Sequence, residues 1–197
     1  MLRFSIIFLI LLVLAIICCG PDKPEQAKVE EKIAIERWPG EGVPVIASTG
    51  SEDSLPLYSQ PGDEKPDGHL PVQPHQHFHW DKSLIVVKKL GKLEILENCI
   101  IAAYVYDSFE DNKLAEGKAR ELNFSSGMIL DVVCYAAEGY YIFRHLDKYI
   151  EMGSSHKCQR MLASPQTEWW VRITIDDKPI GWVRVDEERV SVVDRRF

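Results

Sequence analysis

Short runs of β-branched and aromatic residues constrain the fold of this chain more than any other feature. Each run has the length of a β-strand, and turn-forming residues separate one run from the next. Many short strands with few helical patterns are typical of a β-sandwich or a small β-barrel. We therefore predict an all-β fold. The runs are VPVIAS, LPLYS, SLIVVKK, KLEILE, CIIAAYVYD, GMILDVVCYA, GYYIFRH, WWVRITID, PIGWVRV and RVSVVD.

Two segments depart from this pattern. Residues 59–81, SQPGDEKPDGHLPVQPHQHFHWD, are dense in Pro, Gly, Asp and His, which predicts a long irregular loop. Residues 108–123, SFEDNKLAEGKARELN, are the main helix candidate, because Ser108 can cap a helix and acidic residues occupy the first turn. Gly117 in its middle disfavours a helix. We expect one or two short helices at most.

The N-terminal residues 1–19, MLRFSIIFLILLVLAIICC, have the composition of an export signal. One basic residue precedes an apolar run from Phe4 to Ile17 that only Ser5 interrupts. Such a run fits the core of a secretory signal, whereas a membrane-spanning helix needs about 20 apolar residues. We predict a signal peptide, and an uncleaved signal anchor is the alternative.

The end of this signal, CCGPDKPEQ, resembles the lipobox of bacterial lipoproteins, in which a small residue precedes the cysteine that is lipidated. Cys19 fits this role better than Cys18, because bulky Ile17 precedes Cys18. The resemblance implies that lipidated Cys19 anchors the protein to a bacterial membrane, on the periplasmic or extracellular face. Each buried methylene of an acyl chain contributes about 0.8 kcal/mol, and two or more chains anchor a protein stably.

Composition divides the remaining chain into a tether and a folded part. Residues 20–42 are polar and carry Pro and Gly at both ends, which is typical of a flexible tether. A short helix over residues 25–37 is an option within it. Residues 43–197 are predicted to form one β-rich domain. The alternative is two degenerate barrels, at about 43–107 and 117–197.

The charge balance restricts the class of partner. The formal net charge is -7, so the chain lacks the basic footprint that nucleic acid binding needs. We expect no nucleic acid partner. The expected partners are the membrane, through the lipid anchor, and peptidoglycan or an envelope protein.

Three cysteines, Cys99, Cys134 and Cys158, follow the signal, and an exported protein meets an oxidising compartment. One disulfide and one buried thiol is the simplest arrangement of three cysteines. The sequence leaves the pairing open. Their spacing matches neither a zinc knuckle nor a redox dithiol motif.

The C-terminal stretch EWWVRITIDDKPIGWVRVD, residues 168–186, resembles the closing hairpin of bacterial SH3-like domains. LPLYSQPGDE, residues 55–64, is similar to the opening strand and loop of that family. GMILDVVCYAAEGYYIF is similar to its central hairpin. The resemblance implies a small SH3-like barrel that binds peptidoglycan or peptides and is not catalytic.

Strand alternation in the closing hairpin predicts its two faces. With a three-residue loop over residues 176–178, one face carries aliphatic residues and Trp169. The opposite face pairs Trp170 with Arg184, and Arg172 with Trp182, which places two cations beside two indoles. These four residues either staple the hairpin or form a ligand-binding surface, and we predict the latter for Trp170, Arg172, Trp182 and Arg184.

A histidine cluster is the second candidate site. His75, His77 and His79 alternate, so in an extended segment their imidazoles project from one face, with Asp81 continuing the row. Imidazole binds zinc, copper and nickel. Same-face neighbours on a strand are about 6.6 Å apart, which is wide for one ion. The alternatives are a solvated loop and a metal-binding envelope lipoprotein.

No motif in the sequence points to an enzyme. Asp and Glu are scattered, and the chain lacks a glycine-rich phosphate loop, a nucleophile elbow and a metalloprotease helix. A cell-wall hydrolase, or a remnant of one, is the most credible enzyme alternative, but Cys99 lies in a strand-like run instead of opening a helix. We predict a non-enzymatic envelope lipoprotein without a cofactor.

Overall fold

β-Strands dominate the computed structural model, which describes residues 33–39 and 44–193. No helix occurs among these residues, so the all-β prediction is confirmed. Cys19, the signal and residues 20–32 of the predicted tether lie outside the described residues. The strands are β1 (Ala34–Ile35), β2 (Val45–Ser48), β3 (Ser54–Leu57), β4 (Gly68–Pro71), β5 (His77–Lys89), β6 (Gly91–Ile95), β7 (Cys99–Tyr106), β8 (Phe109–Glu110), β9 (Lys113–Leu114), β10 (Lys118–Phe124), β11 (Ile129–Ala137), β12 (Tyr140–His145), β13 (Lys148–Gly153), β14 (Gln159–Ala163), β15 (Gln166–Ile175), β16 (Lys178–Val185) and β17 (Val190–Val193).

The first large sheet, which we call sheet one, has the strand order β16-β15-β5-β2-β17, and β1 also pairs with β5. Its longest strand, β5, runs antiparallel to β15 from the pair Lys89 and Gln166 to the pair His79 and Thr174. The small β3–β4 hairpin supplies Leu55, Leu57 and Leu70 to the core of this sheet. The buried residues of that core are Ile46, Leu55, Val72, Phe78, Val171, Ile173, Val183 and Val190.

The second large sheet, sheet two, has the order β10-β7-β13-β12-β11-β6-β14, and its strands lie within residues 91–163. The separate β8–β9 hairpin lies in the same range. Side chains alternate along its strands as expected: in β7, Ile101, Ala103 and Val105 are buried, whereas Ile100 and Tyr104 are exposed. Sheet two is therefore inserted between β5 and β15 of sheet one. One sheet is thus inserted in the chain of the other. The alternative of two successive barrels, at about 43–107 and 117–197, predicts a different arrangement.

A disulfide joins Cys99, at the start of β7, to Cys158, which directly precedes β14. Because β7 is the second strand of sheet two and β14 is the last, the bond connects opposite ends of the sheet. Cys158 and Phe124 of edge strand β10 belong to one buried cluster, so the sheet curves around its own core. Cys134 is the remaining buried thiol, and burial raises its pKa to about 12.

Residues 33–39, which we call the strap, connect the two sheets. Ile33 and Ile35 of the strap pack with Ile85 of sheet one and with Cys134 and Ile142 of sheet two. The packed part of the chain therefore already includes Ile33, whereas composition predicts that the domain starts at residue 43. The alternative of a helix over residues 25–37 is wrong for Ala34–Ile35, because these two residues form the extended strand β1.

The predicted helix over residues 108–123 is wrong, because strands β8, β9 and β10 occupy this segment. Asp111 and Asn112 have positive φ angles of 50° and 67°, which form the turn between β8 and β9. Phe124 of β10 is buried in the core of sheet two, and β10 pairs with β7 along its whole length. Pairing with a distant strand outweighs local helix propensity here.

The predicted irregular loop at residues 59–81 is partly regular, since β4 and the first residues of β5 fall within it. Its irregular portions are residues 59–67 and 72–76. Within residues 33–39 and 44–193, no helix has the length and apolar character that crossing a membrane requires.

Candidate functional site

An open groove lies at the end of sheet one where β5 begins. The last residue pair between β5 and β15 is His79 with Thr174. Beyond it, Phe78 and His77 pair with β2, and β15 turns into its hairpin with β16. The groove has a volume of about 380 Å³.

The groove combines an apolar floor with polar rims. Phe78 and Ile173 are buried, whereas Ile175 is half exposed. One rim consists of residues that precede or open β5, and the other consists of the end of β15 and the turn that follows. The lining residues are Leu70, Phe78, Ile173 and Ile175 on the floor, and Gln76, His77, His79, Thr174, Asp176 and Asp177 on the rims.

The turn between β15 and β16 has two residues, and not three as predicted. Asp176 and Asp177 have positive φ angles of 49° and 59°, the conformation of a hairpin turn that matches strand twist. Lys178 lies in β16 because a residue before proline favours an extended backbone. Ile180 is the extra residue of a bulge, and this bulge restores the predicted register from Ile173 onward.

Four ionisable side chains of the groove lack partners. Among the described residues, His77, His79, Asp176 and Asp177 form no side-chain ion pair or hydrogen bond. Thr174 also lines the groove, and its side chain has no hydrogen-bond partner in the described part of the chain although the residue is only 9% exposed. The groove therefore offers polar groups whose hydrogen-bonding capacity is unused within the fold.

Asp81, predicted to continue the histidine row, is instead paired with Arg172. The guanidinium donates two hydrogen bonds to the carboxylate, at 2.8 and 2.6 Å. These bonds from Arg172 lower the pKa of Asp81 below its ordinary value. The pair holds β15 to β5 beside the groove and removes Asp81 from any ligand set.

The predicted metal set of His75, His77 and His79 is not assembled. His77 and His79 lie exposed on β5, but His75 belongs to the preceding turn and has a φ of 58°. The turn takes His75 out of the strand and out of the alternation on which the prediction depended. Across residues 33–39 and 44–193, no three His, Cys, Asp or Glu side chains are grouped closely enough to hold a metal ion.

The tryptophan face of the closing hairpin has the predicted register but is covered. Trp170 pairs with Arg184, and Arg172 pairs with Trp182. Trp170 is only 1% exposed and Trp182 only 8%, so the two indoles do not form an accessible binding surface.

Tyr58, which follows β3, covers this face. Its ring meets the Trp170 ring edge-on at 4.9 Å, and its backbone exchanges hydrogen bonds with the Trp182 backbone at 3.0 and 2.9 Å. Ala34, Leu84 and Val86 are buried in the same cluster. The Arg172 guanidinium lies 5.8 Å from the centre of the Trp182 ring. The contact between Arg172 and Trp182 therefore lies at the edge of the core. This position fits the alternative role predicted for these residues, which is to hold the hairpin together.

Three residues of the groove were not predicted from the sequence, namely Thr174, Asp176 and Asp177. Two adjacent aspartates in a hairpin turn were a signal, but turns are commonly acidic and solvated. Their proximity to His77 and His79 depends on the pairing of β15 with β5, which are far apart in the chain. No family model, curated protein or solved structure matches this chain.

Proposed function

We propose that the protein is a non-enzymatic, lipid-anchored lipoprotein of the bacterial cell envelope that binds a peptide, protein or peptidoglycan ligand in the groove at the start of β5. The groove carries the proposal. Its volume of about 380 Å³ falls within the range of ligand sites, which is about 300 to 1,000 Å³. An apolar floor with a few unpartnered polar groups is the usual composition of such a site.

The elements around the groove favour binding without large rearrangement. The floor residues Phe78 and Ile173 belong to the buried core of sheet one. Asp81 and Arg172 fix the two strands beside it. Sites on such rigid elements are held more precisely than sites on loops.

The position of the groove also suits a protein anchored at its N-terminus. The strap joins β5 at Val87, where the Val87 amide donates to the Ile33 carbonyl at 2.9 Å. His77 lies ten residues away along β5, or roughly 33 Å at the rise of a strand. The strap therefore joins β5 far from the groove, and it is not part of the groove lining.

Sedimentation with purified peptidoglycan tests the proposal, with the full chain in detergent micelles. Ile175→Glu is the groove variant, because Ile175 is 50% exposed and a charge there does not enter the core. Ile129→Glu is the matched control, since Ile129 is 46% exposed on sheet two. We expect the wild type and the control to sediment and the groove variant to remain largely in solution.

Co-purification from membranes tests for a protein ligand, again by comparing the wild type with Ile175→Glu and Ile129→Glu. A partner that is retained by the wild type and by Ile129→Glu, but lost from Ile175→Glu, supports the proposal. If the wild type neither sediments with peptidoglycan nor retains a partner, or if the groove variant behaves like the control, the proposal is wrong.

A further inference from the structure

The groove has an asymmetric distribution of charge. Asp176 and Asp177 place two carboxylates on one rim, and none of the described Lys or Arg residues lines the groove. Lys178 follows the turn in sequence but is not part of the lining. A ligand that carries a cation at this end would meet carboxylates that no described side chain already neutralises.

Thr174 supplies a second, independent indication of a ligand. It is a polar residue more than nine-tenths buried, it lines the groove, and its hydroxyl has no partner among the described residues. The hydroxyl oxygen itself is not among the fully enclosed unpaired oxygens, so it is open to solvent at the groove. A hydroxyl both donates and accepts, so it suits a peptide group, which offers an N–H and a carbonyl.

The floor defines the part of the ligand between these polar contacts. Phe78, Ile173 and Ile175 present apolar surface beside the two carboxylates. A lysine-like side chain fits this arrangement, because its methylene stem can lie on apolar surface while the ammonium group reaches polar groups. An ammonium has three donors and a carboxylate only acceptors, so the two are complementary.

We propose that the groove binds a peptide bearing a primary amine on an alkyl side chain, with the ammonium held by Asp176 and Asp177, the stem on Phe78 and Ile175, and a backbone group at Thr174. This inference rests on the proposed function and specifies the chemical class of its ligand. It selects against acidic peptides, which the two carboxylates repel.

Anisotropy of a fluorescent peptide tests the amine contact. The probes are N-acetyl-Ala-Lys-Ala-amide, labelled at its C-terminus, and the same peptide acetylated at the lysine side chain. The protein is the full chain in detergent micelles. The variant D176N/D177N removes both charges but keeps the turn, because asparagine tolerates positive φ.

Asp111→Asn is the matched control. Asp111 also has a positive φ, of 50°, in a two-residue hairpin turn, but it does not line the groove. Its substitution makes half the charge change of the double variant in an equivalent backbone. It therefore reports any effect of net charge on peptide binding.

We expect D176N/D177N to weaken binding of the lysine peptide by about three- to tenfold, as for two partly exposed ion pairs. The acetylated peptide should bind the wild type more weakly, and the double variant should not weaken it further. Thr174→Val should weaken both peptides equally. Asp111→Asn should leave both affinities unchanged.

Equal binding of the two peptides by the wild type overturns this inference, as does an unchanged affinity in D176N/D177N. Failure of both peptides to bind also overturns it. None of these results decides whether the groove binds peptidoglycan or another partner, because sedimentation and co-purification with Ile175→Glu test that separately. Failure of this inference can therefore be told apart from failure of the proposed function.

Discussion

Arg37 of the strap donates two hydrogen bonds to Glu151 of β13, at 2.9 and 3.0 Å, and thereby joins the strap to sheet two. The Tyr106 hydroxyl donates to the same carboxylate at 2.5 Å. Burial acts to raise the pKa of Glu151, but the bonds from Arg37 and Tyr106 lower it below its ordinary value overall. Burial, followed by the bond to Glu151, raises the pKa of Tyr106 to about 12.

Glu151→Gln should reduce the free energy of unfolding by about 2 kcal/mol at neutral pH, because it leaves the half-buried Arg37 without its charge partner. Since the pKa of Glu151 is lowered by folding, its stabilising contribution is present above the ordinary value of 4.5 and is lost as the pH falls below it. Urea unfolding should show that the free energies of unfolding of Glu151→Gln and the wild type differ less at pH 3 than at pH 7. Glu121→Gln, at an exposed position of β10, is the control and should have little effect. A constant difference at both pH values would contradict this role.

Reduction of the Cys99–Cys158 disulfide should lower the free energy of unfolding by about 4 kcal/mol. The bond closes a loop with a sequence separation of 59, and the loop-entropy relation gives a loss of this size. Urea midpoints with and without reductant measure it. Cys134→Ala should keep the full effect of the reductant, because Cys134 is outside the bond. A wild-type midpoint that does not respond to reductant would contradict the pairing.

Trp170→Ala should destabilise the protein by about 3 to 5 kcal/mol, as expected for deletion of a buried large aromatic side chain. The indole is 1% exposed beneath Tyr58. Trp38→Ala is the comparison, because Trp38 is only partly buried and contacts Trp169 at 5.9 Å between ring centres. Thermal unfolding should show a clearly smaller loss for Trp38→Ala. Similar losses, or a stable Trp170→Ala, would mean that the hairpin face is open.

Gly117→Ala distinguishes the observed connection between β9 and β10 from the predicted helix by the sign of its effect on stability. In an exposed helix the substitution would stabilise the protein by about 1 kcal/mol. In the structure, a Cβ at Gly117 would lie 2.8 Å from Cε1 of Tyr106, so we expect a loss of about 1 to 3 kcal/mol. Gly68→Ala is the control, since, apart from its chain neighbours, no described residue has an atom within 4 Å of its Cβ position. A gain in urea midpoint for Gly117→Ala would contradict the packing of Tyr106 against Gly117.

Local alternation was enough to locate most strands and to pair the closing hairpin. Each of the ten predicted runs overlaps a strand, and Trp170 faces Arg184 as predicted. These features depend on neighbours in sequence and on the two-residue period of a strand, which a sequence displays directly. The odd number of cysteines indicated one disulfide and one buried thiol, which the structure shows, but it left the pairing open.

Only the tertiary structure decided which surfaces are covered and which are open. Tyr58 buries Trp170 from a distant part of the chain, and pairing with β7 makes a strand of residues that locally favour a helix. The groove exists because β15 meets β5 and brings Asp176 near His77. Tyr58 and Trp170 are about a hundred positions apart in the chain, as are His77 and Asp176. The period of a single strand carries no information about what packs against its outer face.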